Sequence, residues 1–143
     1  MNTAWQRELI ELFSRAPIAR FFGMSLTCDE QGHAHIHLPY NPNLDHPAKG
    51  IHGGVIATML DTAGWFAVAA HNEGIWIVTG EFKVHLLSPA KESELNAEGW
   101  VVKSGKRISV AEIRVSVANG ELVAIGTGTY VALENVPLGE NAL

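Results

Sequence analysis

Two groups near the middle of the chain could act together on a carbonyl compound. Gly53 and Gly54 follow His52, and Asp61 lies eight residues beyond Gly53 in an apolar run. Two glycines at a helix start leave backbone N–H groups uncovered at the positive end of the helix dipole, where a developing oxyanion is stabilised. A carboxylate in an apolar helix needs a partner, a cavity or a catalytic role, because burying it unpaired destabilises the fold by roughly several kcal/mol of free energy.

The spacing between Gly53 and Asp61 limits how the two groups can cooperate. Eight helical residues at 1.5 Å each span about 12 Å, which is too far for both groups of one helix to contact the same carbon. If both act on one carbonyl, Gly53 of one subunit meets Asp61 of another, as a two-fold dimer allows. The alternative is that Asp61 hydrogen-bonds a neighbouring backbone group or an arginine only to fix the fold.

The hydrophobic pattern predicts two helices that could position these groups. Residues 3–15 carry apolar side chains at helical spacing, and Pro17 ends or restarts that helix. Residues 53–71 lack a polar stripe, so we expect a helix that is enclosed on all sides. Between them, residues 40–51 are rich in Asn and Pro and predict a loop.

The remaining segments alternate in polarity and predict β-strands. Two strands are expected within residues 24–38, with a break at Gly32, and four more at residues 76–87, 95–103, 107–118 and 122–133. In residues 76–87 we expect one packed face (Trp76, Val78, Phe82, Val84 and Leu86) and one wet face (Thr79, Glu81, Lys83 and His85). Short turns, including Asn119-Gly120, join antiparallel strands. The prediction is an α+β fold: a curved antiparallel sheet of five to six strands around one long central helix, plus a short N-terminal helix.

Size, charge and cysteine content limit the class of protein. A chain of 143 residues fits a single domain spanning residues 1–143, with its core at about 20–133. The net charge of -5 argues against nucleic acid or anionic lipid as a partner. The single Cys28 fits a reducing, cytoplasmic compartment. Charges within the first twenty residues argue against a signal peptide, and residues 55–70 are too short to span a bilayer.

A family resemblance becomes specific at this point. His52-Gly53-Gly54 followed by Asp61 on an apolar helix resembles the signature of hotdog-fold acyl-CoA thioesterases, in particular the phenylacetate-degradation type. Residues 82–90, the turn at 103–106 and the last hairpin are similar to that family's order of strands and turns, so the resemblance covers residues 20–133. It implies the hotdog fold, hydrolysis of acyl-CoA to free acid and CoA, and a homo-oligomer, either a dimer or a tetrameric dimer of dimers.

The resemblance also implies roles for four residues. The Gly53 N–H would polarise the thioester carbonyl, and Asp61 would act as general base toward water or as nucleophile. Thr79 matches a position that often helps to place the water or the acid, although strand packing explains a β-branched residue equally well. His52 would orient the glycine turn, or it could serve only to start the helix.

A second group of residues is expected to bind the substrate: His46, Gly54, Trp65, Lys103, Gly105, Lys106 and Arg107. The chain has His46 where the family commonly has Asn, so His46, Asn43 or Asp45 could take that polar role. The basic residues could meet the phosphates of CoA or simply be solvated, and Gly105 could admit the ligand or make its turn. Trp65 could line the acyl pocket or fill the core. No cofactor is expected.

Three other interpretations remain open at this level. His33, His35 and His37 share one strand face and could bind a metal, although we expect none because the sequence places no Cys or carboxylate partner for them and a strand face of the family explains them as well. A non-catalytic acyl-CoA binding or sensing module is the alternative function on the same fold. A hydratase of this fold needs a loop motif with a catalytic His, which the sequence lacks. The acyl group could be aryl, medium-chain or hydroxylated.

Overall fold

A computed structural model describes residues 2–137, with residue 137 described by its backbone alone. In chain order the elements are α1 (Ala4–Arg15), α2 (Pro17–Phe22), β1 (Ser25–Cys28), β2 (Ala34–Leu38), a 3₁₀ turn (Pro42–Leu44), α3 (Gly53–Ala69), β3 (Ile75–Leu86), β4 (Leu95–Lys103), β5 (Ile108–Val117) and β6 (Leu122–Pro137). The strands form one antiparallel sheet in the order β1-β2-β4-β5-β6-β3. Helix α3 packs against the strands from β2 to β6, as the sequence predicted for a central helix.

The N-terminal helices are fixed to the far end of α3. Thr3 and Gln6 form a reciprocal capping box that starts α1. Trp5 donates its indole N–H to the carbonyl of Ala69 at 2.8 Å. Pro17 occupies the first turn of α2, so this proline restarts the helix rather than ending it. The amphipathic N-terminal segment therefore forms one wall of the domain beside the last turns of α3.

Helix α3 is not enclosed on all sides, which corrects the sequence prediction. Met59, Leu60 and Ala63 are fully buried against the sheet. Asp61 and Trp65 lie one helical turn apart on a stripe of α3 that is only half-buried. The prediction failed because the stripe contains small, polar and aromatic residues that are apolar on average. The sequence pattern therefore gives no sign that this side of the helix faces solvent.

Strand β3 has a bulge that corrects the predicted faces. The register pairs Thr79 with Tyr130 and Glu81 with Thr129, so one extra residue, Gly80, lies between them. A bulge switches the alternation of side chains, and Thr79 therefore faces the helix instead of solvent. Past the bulge, Phe82 lies on the helix side.

This part of β3 is also less covered than expected. Phe82 is 41% exposed and Leu86 is 54% exposed. In the described part of the chain, residues 2–137, β3 is an edge strand that pairs with β6 alone, so no second strand lies beside these side chains. Within residues 2–137, none of the helices combines the length and apolarity needed to cross a bilayer.

Candidate active site

The structure brings Asp61 together with one residue that the sequence selected. Asp61 lies in the middle of α3, and the Oγ1 of Thr79 donates to its Oδ1 at 2.9 Å. This contact depends on the bulge in β3, which turns Thr79 inward. Thr79 is thus a hydrogen-bond donor to the buried acid as well as a strand-packing residue.

A third residue, Tyr130, completes the surroundings of Asp61. Its hydroxyl donates to the backbone carbonyl of Asp61 at 3.2 Å. Burial raises the pKa of the Asp61 carboxyl, while the hydrogen bond from Thr79 and the nearby hydroxyl of Tyr130 lower it, leaving the pKa above its ordinary value. Burial, together with the Asp61 charge, also raises the pKa of Tyr130 far above its ordinary range, so the phenol stays protonated.

Asp61 faces a cavity rather than a closed network. The cavity has a volume of about 480 Å³ and is lined by Asp61, by Arg15 and by mainly apolar side chains from α1, α2, α3 and β3. Among these, Trp65 lies 5.5 Å from Trp76 and Phe66 lies 4.9 Å from Phe13 between ring centroids. A partly desolvated acid beside an apolar cavity has the properties of a catalytic carboxyl group.

The N-terminus of α3 presents one unused backbone donor. His52 is the N-cap, and its Nδ1 accepts the N–H of Gly54 at 2.8 Å. The Gly53 N–H has no hydrogen-bond acceptor among residues 2–137. The structure thereby separates the two glycines: the Gly54 amide is used by the cap, and the Gly53 amide is available to stabilise an oxyanion.

The helix start and Asp61 do not meet within one protomer. Neither His52, Gly53 nor Gly54 lines the cavity beside Asp61. A Cβ on Gly53 would instead come within 2.7 Å of Leu86 Cδ1 at the end of β3. This agrees with the separation expected from helix geometry.

The expected CoA-binding residues lie on the β4–β5 turn, outside the cavity. Lys103, Lys106 and Arg107 are exposed. Gly105 has a steric reason to be glycine, because a Cβ there would overlap the carbonyl oxygen of Ile108. The structure therefore explains Gly105 by its turn, and the phosphate-binding role of the three basic residues stays a prediction.

The loop before α3 holds the three candidates for the missing Asn. His46 closes its own turn, since its Nδ1 accepts the N–H of Ala48 at 3.1 Å. Asp45 accepts a hydrogen bond from Tyr40 through Oδ2, while its Oδ1 is buried without a partner among residues 2–137. Of the three, Asp45 is the one with an unsatisfied acceptor, and Asn43 is exposed.

The histidines around β2 form hydrogen bonds on the outer face of the sheet. His33 contacts Glu98 at 3.0 Å, and His35 contacts Asp29 at 3.1 Å. Asp29, His33 and Glu98 are close enough to share a cation, but these partly exposed groups already pair with one another. The absence of a metal stays a prediction.

Tyr130 is the site residue that sequence reasoning missed. It stands in an alternating strand with no local sign of a special role. Tyr130 is 69 residues away from Asp61 in sequence, and the contact between them depends on the register between β6 and β3. A single sequence carries no signal for that pairing.

Comparison with known proteins identifies the family. Residues 49–124, which include the α3 start, Asp61 and Thr79, match the sequence model of the thioesterase superfamily. The chain belongs to the thioesterase superfamily. A protein from Saccharolobus solfataricus named as a candidate esterase is 32% identical over 124 residues, covering 87% of this chain and 83% of that protein.

Solved structures of this superfamily share the fold. A thioesterase family protein from Silicibacter pomeroyi is 28% identical, with a TM-score of 0.84 over 91% of this chain and 98% of that one. The E. coli PaaI protein from the phenylacetic acid degradation operon is 20% identical, with a TM-score of 0.81 over 89% and 91% of the two chains. At that identity PaaI shows a likeness of fold alone. The predicted hotdog fold is confirmed, and membership of the superfamily supports hydrolase activity.

Proposed function

We propose that this member of the thioesterase superfamily hydrolyses acyl-CoA thioesters to a free acid and CoA. The observation that carries the proposal is the Asp61 carboxyl group, which is held by Thr79 and faces an apolar cavity of about 480 Å³. Such a cavity can accept an acyl chain while the carboxylate acts at its carbonyl carbon. Sulfur is a good leaving group, so carboxylate assistance is sufficient without a cofactor.

In the proposed reaction, the Gly53 N–H of one subunit polarises the thioester carbonyl beside Asp61 of its partner. Asp61 either removes a proton from the attacking water or attacks the carbonyl itself to form an anhydride that water then hydrolyses. In both routes the C–S bond breaks, the carbonyl carbon gains the oxygen of water, and CoA leaves as the thiol. Thr79 fixes one carboxylate oxygen, and His52 keeps the glycine turn in place by capping α3.

The free edge of β3 supports a homo-oligomer, at least a dimer. An edge strand exposes unpaired backbone groups, and here it also exposes the apolar side chains of Phe82, Leu86 and Leu87. Because Leu86 lies next to Gly53, a second copy covering this edge would also approach the unused Gly53 amide. Symmetry would then give two equivalent sites per dimer.

The residues expected to bind the substrate are proposed to contact different parts of it. Trp65 contributes to the apolar wall of the acyl cavity, where its indole N–H is already bonded to the carbonyl of Ile77 at 2.8 Å. The exposed basic residues of the β4–β5 turn would meet the phosphates of CoA. We leave the acyl group open among aryl, medium-chain and hydroxylated groups, and the panel of acyl-CoAs that tests the proposal includes all three.

The decisive test is thiol release from a panel of acyl-CoAs by the purified protein. We expect hydrolysis that EDTA does not inhibit, and a fall in kcat of about 10²- to 10⁴-fold in Asp61→Asn, because a general base contributes on that order. Asp29→Asn is the matched control, since it neutralises a hydrogen-bonded acid on the outer face of the sheet. Tight binding of acyl-CoA without any turnover across the panel would replace the hydrolase by a binding module.

A further inference from the structure

Tyr130 is a buried phenol that the proposed reaction does not use directly. Its side chain is 1% exposed and is the largest fully buried one among the described residues. Burying a hydroxyl group costs free energy unless it is hydrogen-bonded. Tyr130 donates its hydroxyl hydrogen bond to the backbone carbonyl of Asp61. A phenylalanine would fill the same space without that requirement, so the hydroxyl calls for a separate explanation.

Two glycines make the space for this hydroxyl. Gly64 lies nearly one helical turn after Asp61 on α3, and Gly128 lies two residues before Tyr130 on β6. A Cβ on either glycine would overlap the Tyr130 hydroxyl. Gly64 costs a helix interior about 1 kcal/mol relative to alanine, and Gly128 weakens a strand. Both positions beside the Tyr130 hydroxyl therefore lack a side chain at the place where the phenol contacts Asp61.

Tyr130 and Thr79 act on Asp61 from adjacent strands. They are direct partners in the register between β6 and β3. Thr79 donates to the carboxylate, and Tyr130 donates to the carbonyl of the same residue. One hydroxyl thus fixes the side chain and the other fixes the backbone that carries it.

We propose that Tyr130 is a positioning residue for Asp61: its hydroxyl fixes α3 at the acid so that Thr79 can hold the carboxylate toward the cavity. The proposal rests on the proposed function. It is supported by electrostatics, because burial raises the pKa of Asp61 while the hydrogen bond from Thr79 and the nearby hydroxyl of Tyr130 lower it. Since the pKa of Tyr130 is itself raised by burial, the phenol remains a donor throughout the working pH range.

Tyr130→Phe tests this role because it removes only the hydroxyl oxygen. We expect kcat to fall about 5- to 30-fold with KM nearly unchanged, which is the order of loss expected when one hydrogen bond that positions the reacting carboxylate is removed. The acidic limb of the pH–rate profile should also move to higher pH, because the carboxylate loses a nearby hydroxyl and α3 no longer holds it in place for the hydrogen bond from Thr79. Val123→Ala, a truncation of a buried residue on the same strand, is the control for a general loss of packing.

The acidic limb decides between positioning and simple packing. Val123→Ala should lower the melting temperature and leave the limb where it is in the wild type. An equal shift of the limb in both variants, or no shift in Tyr130→Phe, would overturn the positioning role.

A second measurement separates this inference from the proposed function. Carbon-13 NMR of labelled aspartate reports the titration of the Asp61 carboxyl group directly, with Asp61→Asn used to assign its signal. A titration displaced to higher pH in Tyr130→Phe supports the positioning role even if the wild type hydrolyses none of the acyl-CoAs. An Asp61 titration identical in the two proteins would refute it even if the wild type is an active thioesterase.

Discussion

The shared site can be tested by combining two inactive chains. Gly53→Pro removes the proposed oxyanion donor, because proline has no backbone N–H. Proline is well tolerated at the first helical position, and His52 already has the extended conformation (φ -61, ψ 134) that a residue before proline adopts. The added ring would meet Leu86 Cδ1, the flexible end of a side chain, so the helix start should survive.

Each variant alone should be nearly inactive. Loss of one oxyanion donor costs about 10²- to 10³-fold in kcat, or about 3–4 kcal/mol. Asp61→Asn removes the other half of the site. Because Gly53 and Asp61 are about 12 Å apart along α3, one helix cannot supply both groups to one carbonyl.

Mixed oligomers should regain activity in a fixed proportion. In a random equal mixture of Gly53→Pro and Asp61→Asn chains, half of the sites contain an intact Asp61 and half of those face an intact Gly53. The mixture should therefore recover about one quarter of the wild-type rate, whether the assembly is a dimer or a dimer of dimers. The assay is thiol release before and after denaturing and refolding the two proteins together.

The control is the same mixture without refolding, in which subunits do not exchange. Refolded Gly53→Pro alone and Asp61→Asn alone should stay at their own low rates. A refolded mixture that gains nothing, although mass spectrometry shows mixed oligomers, would place both groups in one chain and refute the shared site.

Two further predictions concern the ionisation of Asp61. Thr79→Val keeps the shape of the side chain but removes its donor, so the pKa of Asp61 should rise further above its ordinary value. Because the reaction needs the carboxylate, the acidic limb of the pH–rate profile should move to higher pH, with kcat reduced about tenfold; a limb that stays in place would show that this hydrogen bond does not tune the acid. Asp61→Asn should stabilise the fold at neutral pH, measured as a raised melting temperature, because it removes the burial penalty of the charged carboxylate. The sign follows from the raised folded-state pKa: stability from the neutral carboxyl is present below the unfolded-state value of 3.8 and is lost as pH rises through the folded-state value. The advantage of Asp61→Asn should therefore disappear in melts near pH 3, and a destabilised variant at pH 7.5 would contradict the burial argument.

The helices and most strands could be predicted because their signals are local. The strand predicted at residues 95–103 matches β4. Pro17 begins a new helix, which is one of the two outcomes expected for this proline. The faces of β3 could not be predicted, because the bulge at Gly80 depends on pairing with β6. A continuous alternation of residues gives no indication that the strand changes face in its middle.

The site was predictable to the extent that it lies on one helix. His52, Gly53 and Asp61 are close in sequence, and helix geometry alone gives their separation. The cavity depends on α1 contacting the last turns of α3, and the Tyr130 contact depends on the sheet register. Such contacts between distant segments are set by tertiary packing, which a single sequence does not encode in any local pattern.

Two of the three unsatisfied features of the protomer have one physical explanation. Among residues 2–137 the Gly53 amide lacks an acceptor and the buried Asp45 Oδ1 lacks a donor, while Phe82 and Leu86 are exposed along β3. Each feature costs free energy in an isolated chain, because unpaired polar groups and exposed apolar edges are both unfavourable. They lie at or near the start of α3, since Asp45 bridges to Ile51 and Leu86 adjoins Gly53. A second copy seated on this edge, with a thioester between the subunits, would satisfy the strand edge and the Gly53 amide together.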